Sequence, residues 1–341
     1  MQYQITKPSR LLNHQGELIQ KGYATSLILD YRRKDVKDKL IRLKEWDYYL
    51  IYNDDFGFAL TVGTTPAIGL VSASFLNFKN SGEKSGITIG LGGINLPPSS
   101  EAGDINYRDI KTNLSITHDH NIRKLDLVMK NFDGGSDIKV SMDLFDQPKD
   151  TMVIATPFQE SPTEFYYNQK IIGMRALGVV NFAGKEYKFT PDRSFGLLDW
   201  GRGAWPHKVT WYWSATQGMV EGKTFGFNLG YGFGDTSCAT ENMLFYDGIA
   251  SKLTDVDFII PKNKNNEYEY MKPWIITSSD KRIEMEFMPI FDRNVNLSAL
   301  ILSTEQHQVF GKFTGKAVLD RGMVLEVKDY MGFAERVENK W

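Results

Sequence analysis

Arg123-Lys-Leu-Asp-Leu-Val-Met-Lys130, Asn131-Phe-Asp-Gly-Gly-Ser-Asp137 and Ile138-Lys-Val-Ser-Met-Asp-Leu-Phe145 follow one another in the chain. In the first run Leu125, Leu127 and Met129 share a face. In the third, Ile138, Val140, Met142 and Leu144 alternate with Lys139, Ser141, Asp143 and Phe145. The period is two, the period of a strand with one buried face. Two such runs joined by a Gly-rich link predict a hairpin. The pattern recurs. Asp247-Gly248 stands between Met243-Leu-Phe245 and Ile249, and Asp-Gly suits a two-residue turn because glycine accepts the positive φ such turns need. Ala183-Gly-Lys185 separates Val179–Phe182 from Tyr187–Phe189. Gly218–Gly222 separates a Trp-rich run from Phe225–Phe233, and Asp320-Arg-Gly322 separates Ala317–Leu319 from Val324–Val327. Only Asp35–Leu43 has the pattern of a short helix. Many short strands with turns between them predict an all-β chain of antiparallel barrels or sandwiches with few short helices.

The chain has 341 residues, of which 42% are hydrophobic and 13% aromatic. That length suits two domains. Pro148, Pro157 and Pro162 punctuate the middle, so the expected division is 1–162 and 163–341. Gly90–Asp104 reads as a long surface loop. A net charge of −2 lacks the footprint of a nucleic-acid binder. The basic stretch Arg32–Lys44 is broken by Asp35 and Asp38 and reads as a solvated face. Cys238 is the single cysteine, so no intrachain disulfide forms. There is no run of about 18 apolar residues and no apolar core near Met1, so the expectation is no integral membrane segment and a cytoplasmic location.

One segment, 194–218, stands apart: Asp199-Trp-Gly-Arg-Gly-Ala-Trp-Pro-His207, then Trp211-Tyr-Trp213. Gly201 and Gly203 flank Arg202 and permit sharp turns or close approach. Asp199 and Arg202 are near enough in sequence to pair, which is also what a purely structural ion pair would look like. Farther on, Thr224–Phe233 puts Phe225, Phe227, Leu229, Tyr231 and Phe233 on one face, and Gly226, Asn228, Gly230 and Gly232 on the other. That bare face leaves room for a ligand or another backbone. Thr240-Glu241-Asn242 follows. The candidate catalytic groups are Asp199, His207 and Glu241. The candidate ligand-binding groups are Arg202, Trp205, Trp211, Trp213, Asn228, Tyr231 and Asn242. Apolar walls with a few polar groups describe a pocket, although Trp and Phe stripes also serve as ordinary core. No ligand spacing marks a metal site, and no cofactor is expected. Gly90-Leu-Gly-Gly-Ile-Asn95 precedes no helix pattern and is not a dinucleotide fingerprint.

The signature Asp199–His207 with Trp211-Tyr-Trp213 and Gln217-Gly218 resembles that of an uncharacterised bacterial family, domain-of-unknown-function family 2804. Pro8–Leu12, Lys44–Tyr49, Asn228-Leu-Gly230, Thr240-Glu-Asn242 and Gly332–Arg336 resemble further blocks of it. More distantly, the family resembles the group containing carotenoid 1,2-hydratase and tocopherol cyclase. That resemblance implies two lipocalin-like domains and acid catalysis, in which a carboxylic acid protonates an alkene and aromatic rings stabilise the cation. Three readings follow. One is an enzyme that hydrates, isomerises or cyclises an isoprenoid- or lipid-like molecule, with Asp199 as acid, His207 or Glu241 as proton partner and Arg202 as orienter. The others are a carrier or sensor of an apolar ligand, and a structural or assembly protein.

Overall fold

The computed structural model describes residues 2–37, 42–119, 121–159, 161–299 and 302–340. Among these, thirteen strands form one antiparallel sheet and nine form a second, with a two-stranded parallel pair besides. Both large sheets curl into half-barrels, and the chain is all-β with two lipocalin-like units. The hairpin read from the sequence lies in the first sheet. Leu125 faces Met142 and Met129 faces Ile138 across the pair, so the apolar residues of both strands share a face. The link carries Asn131 and Gly134 at positive φ. Arg33–Asp35 is a 3-10 turn; the rest of the helix expected over Asp35–Leu43 lies largely outside the described residues.

At the centre of the first sheet, strand Phe195–Ala204 lies between Leu43–Tyr52 and the long strand Ser161–Phe182. At the centre of the second, Lys208–Val220 pairs with Lys223–Tyr231 on one side and Val324–Lys340 on the other. Val324–Lys340 pairs in turn with Leu302–Val318. Alternation along these strands gives each sheet two apolar faces. One face of each lines its own half-barrel, around Trp200 and Tyr167 in the first and Phe227 and Trp274 in the second. The others pack against each other, joining Leu50, Tyr166, Ile172 and Leu197 to Trp213, Phe245, Phe310 and Phe333. That seam is a third core.

The proline-rich stretch turns a hairpin inside the first sheet. Met152–Phe158 and Ser161–Phe182 pair directly, and the register shifts at Pro157/Phe158. Proline is tolerated there because it sits at a strand end and beside an irregularity. The chain passes from one sheet to the other at Trp205–His207, well after Pro162. The long loop after Leu91 is strapped down by three arginines. Arg33 reaches Leu96 O, Arg202 reaches Pro97 O and Arg123 reaches Ser100 O.

Candidate functional site

Strand parity decides where the signature side chains go. Asp199, Gly201 and Gly203 face the seam, whereas Trp200, Arg202 and Ala204 face the first half-barrel. A side chain at Gly201 would overlap the indole of Trp46, so this glycine makes room for a ring within a strand and makes no turn. Asp199 and Arg202 therefore point in opposite directions and do not pair. Arg202 is fully buried in the first half-barrel. It donates to Asp47 Oδ1 at 2.9 Å and to the carbonyls of Trp46 and Pro97, and it lies 4.3 Å from the Trp200 ring.

Asp199 instead meets Lys170, its direct cross-strand neighbour. Lys170 Nζ is 2.8 Å from Asp199 Oδ1, and Asn168 Nδ2 donates to the same oxygen at 2.6 Å. The ammonium lies 4.3 Å from the centre of the Trp213 ring and donates to the Tyr166 hydroxyl at 3.4 Å. Trp213 belongs to the second sheet, so the pair bridges the seam. Trp213 Nε1 donates to Asn228 Oδ1 at 2.7 Å, and Asn228 Nδ2 donates to Glu241 Oε2 at 3.1 Å. The Gly face of strand Lys223–Tyr231 is filled rather than open. A side chain at Gly226 would strike Ile172, and one at Gly230 would lie 2.6 Å from Glu241 Oε1. Asn242 accepts the Gly230 N–H and is a backbone support.

The sequence reading missed Glu335. Trp211 Nε1 donates to its Oε1 and Gln308 Nε2 to its Oε2, both at 3.0 Å. Gln308 is held in turn by Arg293 at 3.0 Å and the Tyr48 hydroxyl at 3.4 Å. No ion pair reaches Glu335 among the described residues. Burial pushes its carboxyl up to about 7, against the opposing pull of Trp211, Lys170 and Gln308; the Asp199 charge adds to the rise. Burial also raises the Glu241 carboxyl and holds the Tyr166 phenol far above its ordinary range, with the Glu241, Asp199 and Glu335 charges acting on that phenol. Glu335 and Lys170 carried one legible signal, a charge on the buried parity of a strand: Phe333, Glu335 and Val337 share a face.

The structure thus brings together Asp199, Glu241, Asn228, Trp211 and Trp213. Trp205 stands beside them, edge-on to Trp46 at 5.2 Å. It does not bring His207, which is exposed where the sheets change over. Nor does it bring Tyr231, which stacks on Tyr212 at 4.5 Å in the second half-barrel. A concavity of about 510 Å³ lies elsewhere, lined by Glu101, His118, Arg123 and Gln147 at the rim of the first sheet. Among the described residues no three His, Cys, Asp or Glu side chains converge as a metal site would require.

Two curled antiparallel sheets meeting over a buried lysine–carboxylate cluster define a two-unit lipocalin-like β protein. The chain belongs to the family described as Domain of unknown function (DUF2804), whose profile matches residues 2–341. No curated protein matches the sequence. Among solved structures, a Nitrosomonas europaea protein with a provisional AttH designation is 12% identical. The match covers 90% of this chain and 96% of that one, with a TM-score of 0.57. Kievitone hydratase from Nectria haematococca is 11% identical, with 98% of each chain covered and a TM-score of 0.46. The first likeness is one of fold.

Proposed function

We propose that the seam cluster is the active site of an enzyme that initiates hydration, isomerisation or cyclisation of a hydrophobic, isoprenoid- or lipid-like molecule by proton transfer. The observation that carries this reading is Glu335, a buried carboxyl with no ion-pair partner among the described residues, held between two N–H donors beside indole rings. A carboxyl poised near neutrality suits general acid catalysis. In a hydration, the Glu335 proton passes to one alkene carbon and leaves a cation on the other. Water adds its oxygen to that carbon, and the surplus proton returns to the Glu335 carboxylate, which restores the acid. The face of Trp211 attracts the transient cation, whereas that of Trp213 already carries the Lys170 ammonium. Asp199, whose Oδ1 is taken up by Lys170 and Asn168, balances the lysine charge and positions it. His207, exposed where the sheets change over, is given no part in the proton transfer.

A second reading, a carrier of an apolar ligand, is favoured by the aromatic lining of the seam. Native mass spectrometry and lipid extraction of the purified protein supply the test compound. Glu335→Gln is expected to lower its turnover by roughly 10²–10⁴-fold. A compound that binds but is not transformed supports the carrier. Full turnover by Glu335→Gln refutes the assignment of the acid.

A further inference from the structure

Phe233 does not continue the face of Tyr231. Gly232 has φ +89° and turns the chain over, and Gly234 follows at φ +82°. Phe233 therefore leaves the second half-barrel and enters the seam. There its ring meets four others edge-on: Tyr166 at 4.6 Å, Trp205 at 5.2 Å, Trp211 at 5.4 Å and Phe158 at 5.4 Å between centres. Two of these walls have polar ends directed into the cluster. Tyr166 OH receives Lys170 Nζ, and Trp211 Nε1 donates to Glu335. The box is thus the half-buried outer room of the Glu335 site, and one phenyl ring on a bend between two glycines fills it.

We infer that this box is the subsite for a planar, unsaturated group of the ligand, aromatic or conjugated, and that Phe233 occupies it when the ligand is absent. Edge-to-face packing accepts a flat π system and offers less to a puckered saturated ring of equal size. A group that replaces Phe233 comes to lie beside Trp211, and so beside Glu335. Displacing the phenyl ring costs affinity, because only the fraction of molecules with an empty box can bind. Phe233 is then a specificity-determining residue. The inference rests on the proposed site for its location, but not on catalysis there.

The test is equilibrium binding of N-phenyl-1-naphthylamine, a neutral planar fluorophore, with decahydronaphthalene as a saturated competitor. Phe233→Ala should bind the fluorophore at least about ten-fold more tightly than the parent, and Trp205→Ala in the same chain should abolish the gain. Phe233→Leu, which keeps bulk, should gain less. Decahydronaphthalene should compete no better against Phe233→Ala than against the parent. Unchanged affinity in both Phe233 variants overturns the subsite, as does an equal gain for the saturated competitor. Glu335→Gln separates the two assignments through turnover. If that variant keeps full turnover of a substrate while Phe233→Ala shows the gain, the acid assignment falls and the subsite stands; the reverse pattern leaves the acid and removes the subsite.

Discussion

Replacing Glu335 by Gln should erase a specific part of the pH dependence of stability. The carboxyl sits at about 7 in the folded protein, against an ordinary 4.5. Below 4.5 it is protonated folded or unfolded, and above 7 it is ionised in both. Between these values the folded chain holds a proton that the unfolded chain has released, so stability falls as pH rises through the window. Each ten-fold difference in proton affinity is about 1.4 kcal/mol, which makes the loss about 3 kcal/mol. Glutamine carries no proton to lose and should show none of it. The substituted amide still accepts from one of Trp211 and Gln308 but faces the other donor with its own N–H. A pH-independent cost of about 1 kcal/mol is therefore expected on top. The assay is urea unfolding of parent and variant at about pH 4 and about pH 8, compared as a difference of differences so that every other titrating group cancels. The parent should lose about 3 kcal/mol more than the variant across that range. Equal losses would show that Glu335 is an ordinary carboxyl in contact with water, and the acid proposed for the seam would go with it.

Three further outcomes follow from the same geometry. Lys170→Met leaves Asp199 buried without its cation and should cost about 3–5 kcal/mol in urea unfolding, whereas Lys170→Met combined with Asp199→Asn should recover much of that; no recovery would mean that the two do not act as a pair. Gly201→Ala forces a methyl group into Trp46 and should cost about 1–3 kcal/mol, with Trp46→Leu relieving it in the double variant. His207→Ala, at an exposed site, should change stability by no more than about 0.5 kcal/mol and leave turnover of an identified substrate intact; a large loss of turnover would restore it as a proton partner.

The sheet character was legible because alternation and turn residues are local. Leu125, Leu127 and Met129 against Ile138, Val140 and Met142 needed only neighbouring residues to be read. The position of the site was legible in part, since Asp199, Trp211, Trp213, Asn228 and Glu241 fall within a short stretch. Its chemistry was not. Asn168 and Asp199 are separated by 31 positions, and Trp211 and Glu335 by 124, and only strand order brings such pairs together. The Asp199–Arg202 pairing fails on a rule the sequence does contain, because residues three apart in a strand project from opposite faces. Had that stretch turned, as its glycines suggest, the pairing would have been sound. Phe233 escaped for the converse reason: alternation placed it with Tyr231, and one left-handed glycine moved it to the other side.

The two halves of the seam differ in how they keep their charges. Lys170 and Asp199 sit opposite each other in the same sheet, so that sheet can close with its charges matched before any of the second exists. Glu335 makes no direct ion pair among the described residues of its own sheet; Arg293 of that sheet acts on it from beyond Gln308. The first sheet supplies its cover, with Leu50, Tyr166 and Leu197 packed into the same core as Phe333. Docking against the first sheet removes the water and adds Lys170 to Arg293 as a cation that acts on it. Its acidity is therefore a property of the fit between two surfaces and belongs to neither surface alone. Substitutions that loosen that fit, even far from Glu335, should detune it, and retuning it would begin with the shape of the seam.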